Sequence, residues 1–362
     1  MINELQTQIN IKDSLMKLFE SIQFARVINV LEKEAYNQGG PGSIRPDLIL
    51  ELETQNNKRY QLIVKVKSTG QPRLARMAIN ILQTLIGNKP GAYGIFAAPF
   101  ISNESRKTCK EANVGFIDLA GNCYFRFDHI FIWIEGRKNP YPAAWSLKAL
   151  FSPKSSRVLR ALLSDVNRYW STVELAEEID VSPGLVTKAK QYLTENELAE
   201  TSQDRKSRKF RLNDPERLLL EWSTKYSYQE NRLYGYYSLD DIKVFEQKLP
   251  TILSGTDIRY AFSLTSGASF VAPHLRYVRS FVYVESGRID EAAELLKLKR
   301  VESGANVVLM EPFDEAVFYD LQEIRGVKVV SDIQLYLDLR SYKERGDEAA
   351  QSVFEQRIKN KW

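Results

Sequence analysis

Seven residues in the middle of the chain, Gln203-Asp204-Arg205-Lys206-Ser207-Arg208-Lys209, hold four cations against one acid. Arginine and lysine at that density neutralise phosphate oxygens and can grip a nucleic-acid backbone without reading its bases. Upstream, Val186, Ala189 and Leu193 recur at helical spacing, and the opposite face carries Ser182, Gly184, Thr187, Lys188, Lys190 and Gln191. Small, hydroxyl, amide and ammonium groups at a helix start suit a major groove, and the free N–H groups there favour phosphate. The net charge of +4 is too small for indiscriminate nucleic-acid binding, so any such contact must rest on local charge.

Other chemistry is scarce. The two histidines, His129 and His274, lie far apart and have no cysteines at zinc-ligand spacing. Neither is accompanied by a nucleophile motif that would suit a His-dependent triad. No G-x-x-x-x-G-K-[ST] loop is present, and no G-x-G-x-x-G follows a strand. Cys109 and Cys123 read as small buried hydrophobes in a reducing cytoplasm. No apolar run reaches the roughly 18 residues of a membrane span, and Met1 to Glu20 lacks the apolar core of a secretory signal. The expectations are therefore no metal, no cofactor and a cytoplasmic location.

The elements that must position the basic stretch lie between Ser155 and Leu212. Val158, Leu159, Leu162 and Leu163 stripe a first helix, and Thr172 is expected to cap a second that carries Val173, Leu175, Ala176 and Ile179. Asp180-Val181 turns the chain, and Ser182-Pro183 starts a third helix as N-cap and first helical residue. Strands at Leu198 to Thr201 and Phe210 to Leu212 then bracket the basic tip. Together these make a winged helix-turn-helix, expected to bind DNA through Ser182, Gly184, Thr187, Lys188, Lys190, Gln191, Arg205, Lys206, Arg208 and Lys209. A helix over Pro215 to Lys225 completes the segment.

The first segment alternates strands and helices, as an α/β domain does. Helical patterns cover Leu5 to Ile22 and about Val27 to Ala35, followed by a loop at Asn37-Gln-Gly-Gly-Pro-Gly-Ser. Strands are expected at Asp47 to Glu53 and Tyr60 to Lys67, with Asn56-Asn57 as a hairpin turn. A helix over Arg73 to Ile86, a strand over Tyr93 to Ala98, a helix over Ser102 to Asn113 and strands at Val114 to Leu119, Cys123 to Phe127 and Ile130 to Glu135 follow. Arg45-Pro46-Asp47 before one strand and Val64-Lys65-Val66-Lys67 in the next resemble the PD-(D/E)XK nuclease superfamily. The resemblance implies that Asp47 is a metal-binding acid and Lys67 the lysine that assists the attacking water. The middle acid is replaced by Lys65. At about 4 Å and an effective dielectric of 20, each charge–charge term is roughly 4 kcal/mol, so an ammonium there repels Mg²⁺. Glu51, Glu53 or an N-terminal glutamate are the acids that could stand in, and the sequence selects none.

The third segment returns to α/β, with strands at Arg259 to Leu264, Ser280 to Glu285, Ala305 to Met310 and Val327 to Val330, and helices at Ile289 to Leu296, Asp332 to Leu339 (capped by Ser331) and Asp347 to Lys359. Its start resembles a nucleotidyltransferase-like domain, with Ser266-Gly267 at the turn. Working members carry two carboxylates on the next strand, and this strand offers only Glu285. The whole order, with Tyr169-Trp-Ser-Thr-Val-Glu-Leu-Ala-Glu-Glu, Val181-Ser-Pro-Gly-Leu-Val-Thr-Lys-Ala-Lys-Gln-Tyr-Leu, Glu302-Ser-Gly-Ala-Asn-Val-Val-Leu-Met-Glu-Pro and Gln334-Leu-Tyr-Leu-Asp-Leu-Arg, resembles the AbiEi-like antitoxins of type IV toxin–antitoxin systems.

The expected architecture is α/β and multi-domain: a degenerate restriction-endonuclease-like domain over 1–140, a winged helix-turn-helix over 145–228 and a nucleotidyltransferase-like α/β domain over 233–362. The resemblance implies a transcriptional autorepressor rather than an enzyme. Its partners would be an operator in double-stranded DNA, a cognate nucleotidyltransferase toxin and, in a homodimer, a second copy of the chain. The alternative is a metal-dependent nuclease delivered to DNA by its winged helix.

Overall fold

The computed structural model describes residues 4–32, 44–141, 147–202, 208–272, 277–343 and 345–362. The chain divides into two compact units, Met1–Ala144 with Thr194–Glu197, and Trp145–Leu193 with Leu198–Trp362.

Unit one runs α1 (Glu4–Glu20), β1 (Ala25–Glu32), β2 (Leu48–Thr54), β3 (Arg59–Val66), α2 (Pro72–Ile86), β4 (Ala92–Ala98), α3 (Asn103–Glu111), β5 (Gly115–Asp118), β6 (Cys123–Phe127) and β7 (Ile130–Ile134). The seven strands form one sheet in chain order, so β1 and β7 are its edges. Pairing is antiparallel at β1–β2–β3, parallel at β3–β4–β5 and antiparallel again at β5–β6–β7. Because side chains alternate along a strand, each strand feeds two cores. Leu62, Val64 and Val66 join Ile11, Leu15 and Phe19 of α1 on one face. Ile63, Phe96 and Phe116 meet Ala75, Ile79 and Leu82 of α2 and Cys109 of α3 on the other.

One expectation needs correction here, and two are met, the first helix among them. The span from Val27 is a strand, because its β-branched residues pair antiparallel with β2 and tertiary pairing overrides a weak helical pattern; residues 33–35 of that expectation lie outside the described residues, as does the loop at 37–43. In α1 the buried row is Thr7, Ile11, Leu15 and Phe19, whereas Leu5 and Ile9 are exposed. The β2–β3 hairpin forms as expected, with Asn57 supplying the positive φ of 55° that its turn requires.

Unit two begins with α4 (Leu147–Leu150), α5 (Pro153–Ser164), α6 (Thr172–Glu178), α7 (Pro183–Glu195), β8 (Ala199–Thr201), β9 (Phe210–Leu212) and α8 (Pro215–Ser223). It continues with β10 (Arg232–Tyr237), α9 (Ile242–Leu253), β11 (Tyr260–Phe262), α10 (Leu264–Val271), β12 (Ser280–Val284), α11 (Ile289–Leu295), β13 (Lys299–Arg300), β14 (Val307–Glu311), β15 (Gln322–Ile324), β16 (Val327–Val329), α12 (Asp332–Arg340) and α13 (Gly346–Val353), with a π-helical turn at Phe354–Ile358. The larger sheet has the order β13-β10-β14-β12-β11-β16-β15. Strands β10, β13 and β15 and helix α9 were not anticipated, the strands being short and carrying little periodicity, whereas α10 is the helix of the strand–helix–strand outline between Arg259 and Glu285. Helices α9 and α11 cover one sheet face. On the other face a single core runs from α5, α6, α7 and α8 through α10 and α12 to α13. Helix α12 is buried from Asp332 to Leu339, so its polar Gln334 and Asp338 must find partners inside.

Candidate nucleic-acid interface

Helix α6 is capped by Ser171, not Thr172, through a capping box. The Glu174 amide donates to Ser171 Oγ at 3.1 Å, and the Ser171 amide donates to Glu174 Oε2 at 3.0 Å. Asp180 takes a positive φ of 51° at the turn. The Leu185 amide donates to Ser182 Oγ at 3.3 Å, the cap expected of Ser182-Pro183. Val186, Ala189 and Leu193 are buried, while Ser182, Gly184, Thr187, Lys188 and Gln191 lie exposed on the other side of α7. The Thr187 hydroxyl donates to Pro183 O at 2.9 Å, which leaves its methyl and acceptor lone pairs for an outside contact.

The remaining cations divide into outward and committed groups. Lys188 and Arg208 are exposed. Lys190 is half-buried: its Nζ donates to Arg208 O at 2.6 Å and lies 5.2 Å from the Phe210 ring centroid. Burial, and secondarily the Arg208 charge, holds its ammonium below the usual lysine range. Lys209 Nζ sits 3.2 Å from Glu174 Oε1. Glu174 in turn is held below the usual carboxylate range, first by the Ser171 amide and then by Lys209. Lys190 therefore ties the β8–β9 ribbon to α7, and Lys209 ties it to the start of α6. Arg205 and Lys206 lie outside the described residues.

One neighbour of the ribbon was missed. Trp170 exchanges backbone hydrogen bonds with Phe210 at 2.8 and 2.9 Å and adds a third short strand segment. The Arg168 guanidinium lies 3.5 Å from its ring centroid. The Tyr169-Trp170 pair just before the cap was the available signal. Also missed was the buried mount beneath α5: Arg160 donates to Ser156 Oγ and to Gln334 Oε1, and Arg157 pairs with Asp314 at 2.9 Å. A charged residue amid Val158-Leu159-Arg160-Ala161-Leu162 was its trace in the sequence.

In unit one, Asp47 and Lys65 come together on the face that α2 and α3 cover. Lys65 Nζ lies 3.0 Å from Asp47 Oδ1 and 3.1 Å from Arg45 O, and the Val66 amide donates to Asp47 Oδ2 at 2.7 Å. Both carboxylate oxygens are thus engaged, one of them by an ammonium where a second acid would assist a cation. Lys67 lies just past β3, where its amide donates to Ala97 O. Glu53 pairs with Arg26 and Arg59, and Glu51 accepts from Asn29 and Gln61, so neither stand-in acid turns to Asp47. Among the described residues no group of three or more His, Cys, Asp or Glu could hold a metal ion.

In the third segment Ser266 and Gly267 are buried within α10. Glu285, just beyond β12, pairs with Arg259 at 3.0 Å, so its carboxylate is also committed. His129 is exposed on the β6–β7 turn, and His274 lies outside the described residues. No described helix is long and apolar enough to cross a membrane.

No curated protein matches the chain significantly. A solved structure described as "Structure of EndoMS-dsDNA2 complex" aligns with 30% of this chain and 43% of its own at 12% identity. Its TM-score of 0.20 is too slight to carry fold or activity across. Residues 211–359, from β9 to the π-helical turn, match the AbiEi_2 family, described as "Transcriptional regulator, AbiEi antitoxin, Type IV TA system". Over that stretch, which is less than half of the chain, the sequence is similar to this family of antitoxin-type transcriptional regulators.

Proposed function

We propose that this protein is a sequence-specific DNA-binding repressor of a type IV toxin–antitoxin operon, with α5, α6, α7 and the β8–β9 ribbon acting as a winged helix-turn-helix. The observation that carries the reading is the exposed face of α7, Ser182, Gly184, Thr187, Lys188 and Gln191, beside a ribbon anchored to it by Lys190. An outward helix face offering hydroxyl, amide and ammonium groups fits the major groove. A ribbon carrying Arg205, Lys206, Arg208 and Lys209 fits the phosphate backbone. The first unit is then a nuclease-like scaffold whose Asp47 faces Lys65 in place of a metal. The β10–β16 sheet is a nucleotidyltransferase-like fold without a second catalytic acid. A cognate nucleotidyltransferase toxin and a cytoplasmic location follow from the family reading.

Fluorescence titration on upstream operator DNA and on scrambled DNA, at two salt concentrations, tests this. Changing Arg205, Lys206, Arg208 and Lys209 to Ala should weaken binding to both DNAs and reduce the salt slope by about one unit per lost phosphate contact. Changing Thr187, Lys188 or Gln191 should relax sequence preference by roughly 1–3 kcal/mol per lost base contact. If wild type and both mutant sets bind both DNAs equally, the repressor reading fails.

A further inference from the structure

The two edges of the seven-stranded sheet in unit one are built differently. At β1 the ladder carries a bulge between Val27 and Asn29, and the strand is lined by charged and amide groups: Arg26 pairs with Glu53, Asn29 bonds Glu51 and Glu32 pairs with Lys12. Bulges and charges of this kind are how sheets prevent another strand from adding to an edge. Strand β7 has none of them. It reads Ile130-Phe131-Ile132-Trp133-Ile134, without a charge, proline or glycine, and no described residue hydrogen-bonds its outer edge. Ile132 and Ile134 lean toward the core beneath α1, while Phe131 and Trp133 stand 58% and 57% exposed on the opposite face. Their rings meet edge to face at 6.4 Å, and Lys110 Nζ lies 4.6 Å from the Trp133 centroid, so both are already ordered.

We propose that β7 is a dimer interface, joined antiparallel to β7 of a second copy about a twofold axis so that the two sheets become one. The strand is self-complementary in that arrangement. Centring the pair on Ile132 sets Phe131 opposite Trp133 of the second copy, on the face where both are exposed, and Ile130 opposite Ile134. It also sets Glu135 opposite His129, whose side chain is 84% exposed, so a carboxylate faces an imidazole at each end of the joint. A twofold contact uses the same patch twice, which a palindromic strand pairing satisfies without any second surface. Covered aromatic residues remove about 150–250 Å² each from water, so four half-exposed rings supply on the order of 450 Å². That is near half of the roughly 1,000 Å² a specific interface needs. The joined backbones, the half-buried Ile132 and Ile134 and the exposed Arg126 and His129 flanks account for the remainder. The inference does not rest on the DNA-binding reading.

The full chain, without DNA, is the sample for the test. Sedimentation equilibrium should show wild type at twice the chain mass. Phe131→Lys with Trp133→Lys should raise the dimer dissociation constant by roughly 100-fold or more, since central aromatic anchors carry most of such an interface. Circular dichroism of that variant should stay unchanged because both side chains are exposed in the single chain, and its melting temperature should lose the rise with protein concentration that a dimeric wild type shows. Directly opposed strand residues lie about 4.5–5.5 Å apart at Cα, within disulfide reach, so Ile132→Cys should cross-link to itself on mild oxidation. Wild type should not, because Cys109 and Cys123 are buried. A wild type that stays monomeric at high concentration overturns the proposal. So does a dimer that survives the double lysine variant, or an Ile132→Cys variant whose introduced thiols fail to join.

Discussion

Replacing Lys65 by Met tests whether the ammonium beside Asp47 has taken over the charge balance of that pocket. The Asp47 side chain is 5% exposed and that of Lys65 13%, so solvent screens the pair little. Breaking a buried ion pair by removing one partner costs about 3–5 kcal/mol, because the other charge is left uncompensated. Asp47 would keep the Val66 amide at 2.7 Å, which puts the expected cost near the lower end, about 3 kcal/mol. The double change Asp47→Asn with Lys65→Met removes both charges and leaves an amide oxygen for Val66, so it should cost only about 1 kcal/mol or less. Hydrogen exchange of peptides covering β2 and β3 reads this locally, where two-unit unfolding would blur a global melt. The single variant should exchange roughly 100-fold faster than wild type and the double variant within about tenfold, at 1.4 kcal/mol per decade. A single variant within about fivefold of wild type, or a double variant no better than the single, would refute the buried-pair account.

Other predictions follow from the same geometry. Lys65→Glu sets two carboxylates together, so Mn²⁺ should raise the melting temperature of that variant and leave wild type unmoved; equal shifts in both would mean the ion binds elsewhere. Lys190→Met keeps the stem against Phe210 but loses the bond to Arg208 O, so operator and scrambled DNA should both bind more weakly with the salt slope unchanged. A slope lower by about one unit would instead make Lys190 a phosphate contact. Burial pushes the Cys109 thiol up to about 12 and the Cys123 thiol up to about 11. Both are raised, so their contribution to stability is full below the ordinary thiol range and is lost as pH rises through about 11 to 12. The urea midpoint should therefore fall across that alkaline window, and a thiol reagent at neutral pH should find both cysteines only after unfolding.

Local chemistry was legible in the sequence, and partner choice was not. The β2–β3 hairpin could be read because alternation and an asparagine turn specify it within a few residues. The buried row of α7 could be read because three apolar residues at helical spacing leave one orientation. Lys65 was seen to replace an acid, but its pairing with Asp47 depends on the β2–β3 register, in which Leu48 faces Val64. Lys190 was assigned to the outward face by the helical wheel, yet its long stem carries the ammonium back to the ribbon, a reach that spacing alone does not limit. The β1 span was misread because an edge strand with polar residues on both faces has no strict alternation to show.

The same dependence on distant partners decides what the helices of the candidate interface need in order to fold. Arg160 is fully buried in α5, and its guanidinium is held by Ser156 and by Gln334 of α12. Gln334 also donates to the Tyr226 hydroxyl at 2.8 Å, and Tyr226 donates to Asp338 at 2.6 Å. Ser263 and Tyr283 donate to the same Asp338 carboxylate, so α5, the segment just after α8, the β11–α10 turn, β12 and α12 share one hydrogen-bond network. A fragment of residues 145–228 would keep Arg160 and lose its Gln334 acceptor, and would also strip the apolar core that α5 and α8 share with α12 and α13. Stranding a buried charge costs several kcal/mol, and an exposed core costs more, against a total stability of about 5–15 kcal/mol for a domain. That fragment should therefore be unfolded or aggregated by circular dichroism and gel filtration, whereas residues 145–362 should fold and melt cooperatively. A folded 145–228 fragment that binds DNA as tightly as the full chain would show that the network adds nothing the helices need.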